Sequence, residues 1–163
     1  MAAKTTFTIE DFERLPSDLV KNRELVDGVL IDLSGNTPNH NLLRDDLLLA
    51  VKEWAKERDA GMAIAEQEYN FLGNAHGPDV TFFGNDKGLL IDRNKRIQRF
   101  VPDLAIEIAS ENDTYSSMVR KKERYLRAGT VEVWLVSSAV CEIAIYTRAG
   151  VRVLRSGDMV SSE

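Results

Sequence analysis

Three ionisable side chains stand where the patterning of this chain asks for apolar ones. Asp79 opens the segment Pro78-Asp79-Val80-Thr81-Phe82-Phe83. Glu107 interrupts the apolar run Leu104-Ala105-Ile106-Glu107-Ile108-Ala109. Lys121, with Lys122 beside it, sits on the turn that should close a helical stripe of Met118, Tyr125 and Ala128. Burying such groups without compensation costs more than any packing gain returns. Two carboxylates and an ammonium brought together point to hydrolysis assisted by a divalent cation. Hard oxygen ligands suit Mg²⁺ or Mn²⁺ rather than zinc. Two carboxylates, one backbone carbonyl and several waters meet the octahedral demand of Mg²⁺. Such a cation lowers the pKa of bound water and neutralises charge on a phosphoryl oxygen. A nearby ammonium orients the attacking water and stabilises the pentacoordinate transition state. It also offsets the repulsion between the carboxylates.

Each of the three has a plainer reading when taken alone. An Asp after Pro opens turns, a Glu in an apolar strand faces water at a sheet edge, and a helical Lys snorkels. Their order around one strand–helix unit favours a site. Strand alternation then sorts the faces. Leu104, Ile106 and Ile108 point toward a core, while Asp103, Ala105, Glu107 and Ala109 point the other way. The two alanines leave open space around the Glu107 carboxylate. In residues 79–83, Asp79 shares a face with Thr81 and Phe83, opposite Val80 and Phe82. If the two strands are neighbours, Asp79 and Glu107 converge on one cation.

The elements that must position these groups follow in order. Thr8 and Asp11 form a variant capping box for a short helix at residues 9–15, stopped by Pro16. Residues 24–26 and 29–31 flank Asp27-Gly28, the signature of a two-residue hairpin turn. Asn39 or Asn41 caps a longer helix to Glu57, with Leu43, Leu47, Ala50 and Trp54 on its core face, and Gly61 ends it. A strand is expected over residues 62–71, then a turn, then the strand from Asp79. Residues 84–99 read as a long loop. The strand ending at Ala109 leads into a helix over residues 116–128, terminated by Gly129. Residues 131–136 form the next strand, so strand–helix–strand implies a right-handed crossover between parallel neighbours. A hairpin over residues 140–146 and 151–155 closes the domain. The pattern predicts an α/β fold: a central mixed β-sheet flanked by α-helices, with an N-terminal helix and β-hairpin.

Composition narrows the function classes. A chain of 163 residues fits one domain, 1–163. Its 21 Lys and Arg against 26 Asp and Glu give a net charge of −5, which weighs against coating nucleic acid by bulk charge. Basic residues nonetheless cluster. Arg93, Lys95, Arg96 and Arg99 lie in one short stretch, and Arg120 and Arg124 lie on the helix of Lys121. They are candidate phosphate contacts, with a solvated face as the plainer alternative. No apolar run approaches a membrane span and the first residues carry no signal core, so a cytoplasmic location is expected. The single cysteine, Cys141, is expected to be a buried strand thiol and excludes both a disulfide frame and a cysteine zinc site.

The ordered set Pro78-Asp79, Glu107 with Ser110, Lys121 four residues before Tyr125, Ala128-Gly129 and Glu132-Val133-Trp134-Leu135-Val136 resembles the Uma-type family of putative restriction endonucleases, within the PD-(D/E)XK nuclease superfamily. The Glu24-Leu25-Val26-Asp27-Gly28 hairpin and His40 resemble its pattern too, and the match covers residues 8–146. The superfamily lysine normally sits two residues after the glutamate, where this chain has Ala109. The resemblance implies that the role has moved to the helix, at Lys121, with Lys122 as runner-up. It further implies Asp79, Glu107 and the Ile108 carbonyl as metal ligands. Two departures are Ser110-Glu111-Asn112-Asp113 in place of Ser-Pro-Ser-Thr and Thr130-Val131-Glu132-Val133-Trp134 in place of Val-Pro-Glu-Tyr-Trp.

Glu24 is a further candidate as an outer carboxylate, and His40 as a base or phosphate contact. His76 lies close enough to Asp79 to touch substrate. Glu66 and Glu68 read as a solvated face, with one of them facing the cleft as the alternative, and Tyr125, Trp54 and Trp134 read as core. The expected activity is Mg²⁺- or Mn²⁺-dependent hydrolysis of DNA, by a homodimer on the analogy that two strands need two sites. The rivals are a non-catalytic domain of this fold that binds DNA or protein, and a metal-free acid/base hydrolase.

Overall fold

The computed structural model describes residues 6–160. Residues 1–5 and 161–163, the ends of the expected 1–163 domain, lie outside the described residues, and so does most of the start read as free of a signal core. Helices α1 (Ile9–Arg14) and α2 (Ser17–Val20) precede the hairpin β1 (Arg23–Val26) and β2 (Val29–Asp32). Asp27 and Gly28 both take positive φ, 49° and 77°, as the type I′ turn requires. A Cβ on Gly28 would stand 2.9 Å from the Thr6 Cβ, so glycine is also the residue that fits. Helix α3 (Pro38–Glu57) leads to β3 (Gly61–Ala65), β4 (Glu68–Phe71), β5 (Asn74–His76) and β6 (Val80–Gly84). Then come α4 (Asn85–Gly88), β7 (Ile97–Gln98), β8 (Leu104–Ile108), α5 (Tyr115–Ala128), β9 (Glu132–Ser137), β10 (Glu142–Thr147) and β11 (Gly150–Arg155).

The central sheet has the order β11-β10-β9-β8-β6-β3 and is mixed, with β8 and β9 parallel and the other pairs antiparallel. A second sheet has the order β2-β1-β5-β4-β7. One core joins α3 to the central sheet through Val51, Val80, Ile106, Ile108 and Trp134. Another joins Ala105 and Val133 of the central sheet to Tyr125 of α5 and to Tyr69 and Phe71 of the second sheet. A third packs Ile9, Phe12 and Val20 on Leu25, Ala75 and Ile97. The α/β expectation with its N-terminal helix and hairpin holds, and so does the parallel pairing across α5.

Several local expectations are corrected. Residues 62–71 are two strands in different sheets: Glu66, at φ 53°, carries the chain from β3 to β4. Residues 84–99 hold α4 and β7 rather than bare loop. The α3 cap is Thr37, whose hydroxyl accepts the His40 N–H with Pro38 in the first turn, a better start than either asparagine. Ala50 is exposed while Val51 and Ala55 are buried, because α3 rotates its face toward β3 and β6. Cys141 is exposed at φ 53°, in the turn before β10 instead of inside a strand.

Candidate active site

The register of β6 and β8 decides which carboxylates meet. Val80 pairs with Ile106 and Thr81 with Ala105, so the same register continued by one residue brings Asp79 opposite Glu107. Asp79 is fixed at both oxygens: the Ile108 N–H donates to Oδ2 at 2.7 Å and His40 Nε2 lies 2.7 Å from Oδ1. Glu107 is buried, and the Tyr125 hydroxyl donates to its Oε1 at 2.5 Å. Tyr125 is fully buried, and a buried phenol needs such a partner.

The lysine is delivered by α5. Asp113 accepts both the N–H and the hydroxyl of Ser110, at 2.8 and 2.7 Å, and holds the loop that leads into the helix. Thr114 caps the helix in a box with Ser117. Gly129, at φ 115°, closes it. Lys121 lies three residues after Met118 and four before Tyr125, both buried, so it shares their inward face. Its Nζ donates to Glu107 Oε2 at 3.4 Å and lies 3.2 Å from Glu24 Oε1. Glu24, buried on β1, also places Oε2 3.0 Å from His76 Nδ1. Asp79, Glu107, Lys121, Glu24 and His40 line one cleft of about 300 Å³, shared with Glu66, Glu68, Ile108, Ser110 and Asp113, while His76 and Tyr125 lie behind it.

Electrostatics separates the carboxylates. Burial pushes Glu107 up to about 7; Lys121 and Tyr125 pull it back, while the neighbouring Asp79 and Glu24 charges add to the rise. Burial pushes Glu24 the same way, but the His76 contact and the Lys121 charge prevail and hold it down at about 2. Lys121 stays above its ordinary value because Glu107 and Glu24 outweigh its burial. Glu68 rises to about 7 through burial, against the pull of Arg96.

Lys121 is paired with Glu107 and Glu24, and the cleft lining carries six carboxylates against Lys121 and Arg23, an imbalance that a divalent cation would relieve. Among the described residues no three His, Cys, Asp or Glu side chains converge on one point. Asp79 and Glu107 are the two carboxylates that the β6–β8 register brings opposite each other, and the rest of a cation's shell would fall to backbone oxygen and water, which Mg²⁺ accepts because it keeps several waters.

The structure thus gathers Asp79, Glu107, Ile108, Lys121, Glu24 and His40 in one place. It sends Lys122 elsewhere, with Nζ 2.6 Å from Glu123 and 4.6 Å from the centre of the Tyr146 ring. Arg93, Lys95, Arg96, Arg99, Arg120 and Arg124 do not line the cleft. Arg96 pairs with Glu68, Arg99 with Glu10 and Glu13, and Arg124 with Asp27. The basic side chain that does line the cleft beside Lys121 is Arg23. Sequence reasoning took Tyr125 as core alone and passed over Asp113; the spacing of Tyr125 from Lys121 held the first signal. Glu66 and Glu68 both line the cleft, where the sequence offered one of them as the alternative to a solvated face.

No curated protein matches this chain. The fold matches a crystal structure described as a putative nuclease belonging to DUF820 from Anabaena variabilis ATCC 29413, with TM-score 0.83 over 96% of this chain and 89% of that one. At 19% identity the likeness is one of fold, and that fold is restriction-endonuclease-like. Among the described residues no helix is long and apolar enough to cross a membrane. The model of the Uma2 family, described as "Putative restriction endonuclease", matches residues 9–163, and the chain belongs to that family.

Proposed function

We propose that this protein is an endonuclease that hydrolyses DNA phosphodiester bonds with Mg²⁺ or Mn²⁺. The observation that carries the reading is the pairing of β6 with β8, which sets Asp79 opposite Glu107 with the Lys121 ammonium 3.4 Å from Glu107. When bound, the cation would supply Lewis acidity, lowering the pKa of a bound water and neutralising charge on phosphate. Asp79, Glu107 and the Ile108 carbonyl would hold it. His40 and the Ile108 N–H keep Asp79 oriented, and Tyr125 keeps Glu107 oriented. Lys121 directs its donors at the place where water attacks phosphorus in line, and its charge meets the charge that develops there.

Arg93, Lys95 and Arg120 are exposed and pair with no carboxylate among the described residues, so they are the cations most open to DNA phosphates. Arg96 and Arg99 would reach DNA only by leaving their carboxylates. A cytoplasmic homodimer belongs to the same reading.

Calorimetry with Mn²⁺ tests the centre without knowledge of the DNA target. Wild-type protein is expected to bind, and Asp79→Ala and Glu107→Ala are each expected to abolish binding and cleavage together. Absence of binding, or binding indifferent to both changes, would reject the metal site and leave a non-catalytic domain of nuclease fold. Cleavage that survives a chelator would instead favour the metal-free hydrolase.

A further inference from the structure

His76 is 1% exposed and has a charged neighbour at each ring nitrogen. Nδ1 lies 3.0 Å from Glu24 Oε2, and Nε2 lies 3.0 Å from Arg124 Nη1. A guanidinium offers donors only and does not deprotonate in a protein. Nε2 must therefore present its lone pair to Arg124. The ring proton then belongs on Nδ1, which lies 3.0 Å from a carboxylate oxygen but is not aligned with it as a hydrogen bond. An imidazolium would set N–H against N–H at Arg124. Both neighbours thus select one tautomer.

The surroundings keep the ring in place. Tyr125 stands edge-on to it with centroids 5.6 Å apart, and Phe71 lies at 6.1 Å. Arg124 is itself anchored, with Nη2 donating to both oxygens of Asp27 at 3.0 and 3.1 Å. Asp27 belongs to the β1–β2 turn, and its N–H donates to Asn74 Oδ1 at 2.7 Å. A continuous chain of contacts therefore runs Asp27, Arg124, His76, Glu24, Lys121. Burial, the largest influence, pushes His76 below its ordinary pKa, and Lys121 and Arg124 add to that against the pull of Glu24.

We infer that His76 is a positioning residue: a neutral Nδ1–H imidazole that ties Glu24 to Lys121, with Arg124 as its outer anchor and not a DNA contact. Glu24 has one oxygen for His76 and one for Lys121, so fixing the first fixes the second. Without it, the Glu24 carboxylate is free to turn and the ammonium loses one of its two guides. The consequence for cleavage rests on the nuclease reading; the tautomer and its hold on Lys121 do not.

The test is a long-range ¹H–¹⁵N spectrum of the full, uniformly labelled chain at neutral pH. The expected result is a protonated Nδ1 and an unprotonated Nε2 at His76, with a slowly exchanging Lys121 ammonium signal. His76→Asn keeps a donor near the Nδ1 position, and His76→Leu removes it. The ammonium signal is expected to survive the first change and to be lost to solvent exchange in the second. With DNA and saturating Mn²⁺, His76→Leu should lower kcat about tenfold or more at unchanged KM, the scale of losing an orienting partner, and His76→Asn should recover most of it. Arg124→Met provides a second variant should His76→Leu not fold, and it is expected to admit the Nε2–H tautomer. A protonated Nε2 in the wild type overturns the inference, as does an ammonium signal indifferent to His76→Leu or a tautomer unmoved by Arg124→Met. If the wild type cleaves no DNA, the nuclease reading fails while the spectra still decide this one.

Discussion

Strands β6 and β8 each build two different environments from alternate residues. Toward α3 they present Val80, Phe82, Leu104, Ile106 and Ile108, a surface held by area alone. Toward α5 and the second sheet, the same segments present Asp79, Thr81, Ala105 and Glu107. That side is held by arrangement. Thr81 meets the Tyr69 hydroxyl at 2.8 Å, Glu107 meets Tyr125 and Lys121, and Asp79 meets His40 and the Ile108 N–H. The apolar face needs only complementary volume, whereas each polar group on the other needs a partner from a different element. The first face makes the sheet stable; the second spends part of that stability on a charge cluster that packing alone would not select.

Neighbouring residues on β8 should respond in opposite ways to substitution. Ile106→Ala should cost about 2–5 kcal/mol, since Ile106 is fully buried and β8 is held on both sides. Glu107→Gln should leave urea stability unchanged or raised, because it removes a buried carboxylate that Asp79 and Glu24 repel. Lys121 retains Glu24 in that variant. The same Glu107→Gln protein should lose Mn²⁺ binding. Equal losses of stability in the two variants would erase the distinction between the faces.

The polar face should also respond to pH. The folded-state pKa values of Glu107 and Glu68 lie at about 7, above the ordinary 4.5. A carboxyl raised in this way contributes stability that is fully present below 4.5 and is lost as pH rises toward 7. Glu24, held at about 2, contributes in the opposite sense: its stability is present above 4.5 and lost as pH falls toward 2. The Glu107 share should therefore weaken metal-free protein between pH 4.5 and 7, by up to about 3 kcal/mol, while His76, held below its ordinary value by burial, works in the opposite sense as pH rises through 6.5. Glu107→Gln should flatten that share of the slope, and saturating Mn²⁺ should oppose it by holding Glu107 ionised. Urea midpoints measured in EDTA across this range check the sign through the difference between the two proteins, and a wild-type midpoint that gained on that of Glu107→Gln from pH 4.5 to 7 would contradict it.

Period-two alternation made both faces legible in the sequence. Val80, Phe82, Ile106 and Ile108 separate cleanly from Asp79 and Glu107, and the Asp27-Gly28 turn and the Gly129 stop were equally readable. What the sequence hid depends on contacts distant in the chain. His40 and Asp79 are 39 residues apart, and Arg124 and His76 are 48 apart. No local pattern announces such pairs. Glu66 shows a second kind of blindness. Its left-handed backbone divides one apolar stretch between two sheets, and nothing in residue type demanded that conformation. Composition likewise could not tell solvated arginines from engaged ones, and Arg96, Arg99 and Arg124 all prove to be engaged.

The smallest expected effect concerns two adjacent residues of identical chemistry. Lys121 and Lys122 are one residue apart on α5, so about 100° of helical rotation separates them. Lys121 turns toward Glu107 and Glu24, and Lys122 turns to Glu123 and the Tyr146 ring. Glu123 is largely exposed, so that pair is worth no more than about 1 kcal/mol, and the cation–π contact is of similar size. Lys122→Ala should therefore lower stability by about 1 kcal/mol or less, in a salt-dependent way, and leave Mn²⁺ affinity and cleavage at the wild-type level. Lys121→Ala should remove cleavage while the fold persists. If Lys122→Ala matched Lys121→Ala in lost cleavage, rotation about the helix would not be what selects the catalytic ammonium, and the lysine assignment would pass to the pair together.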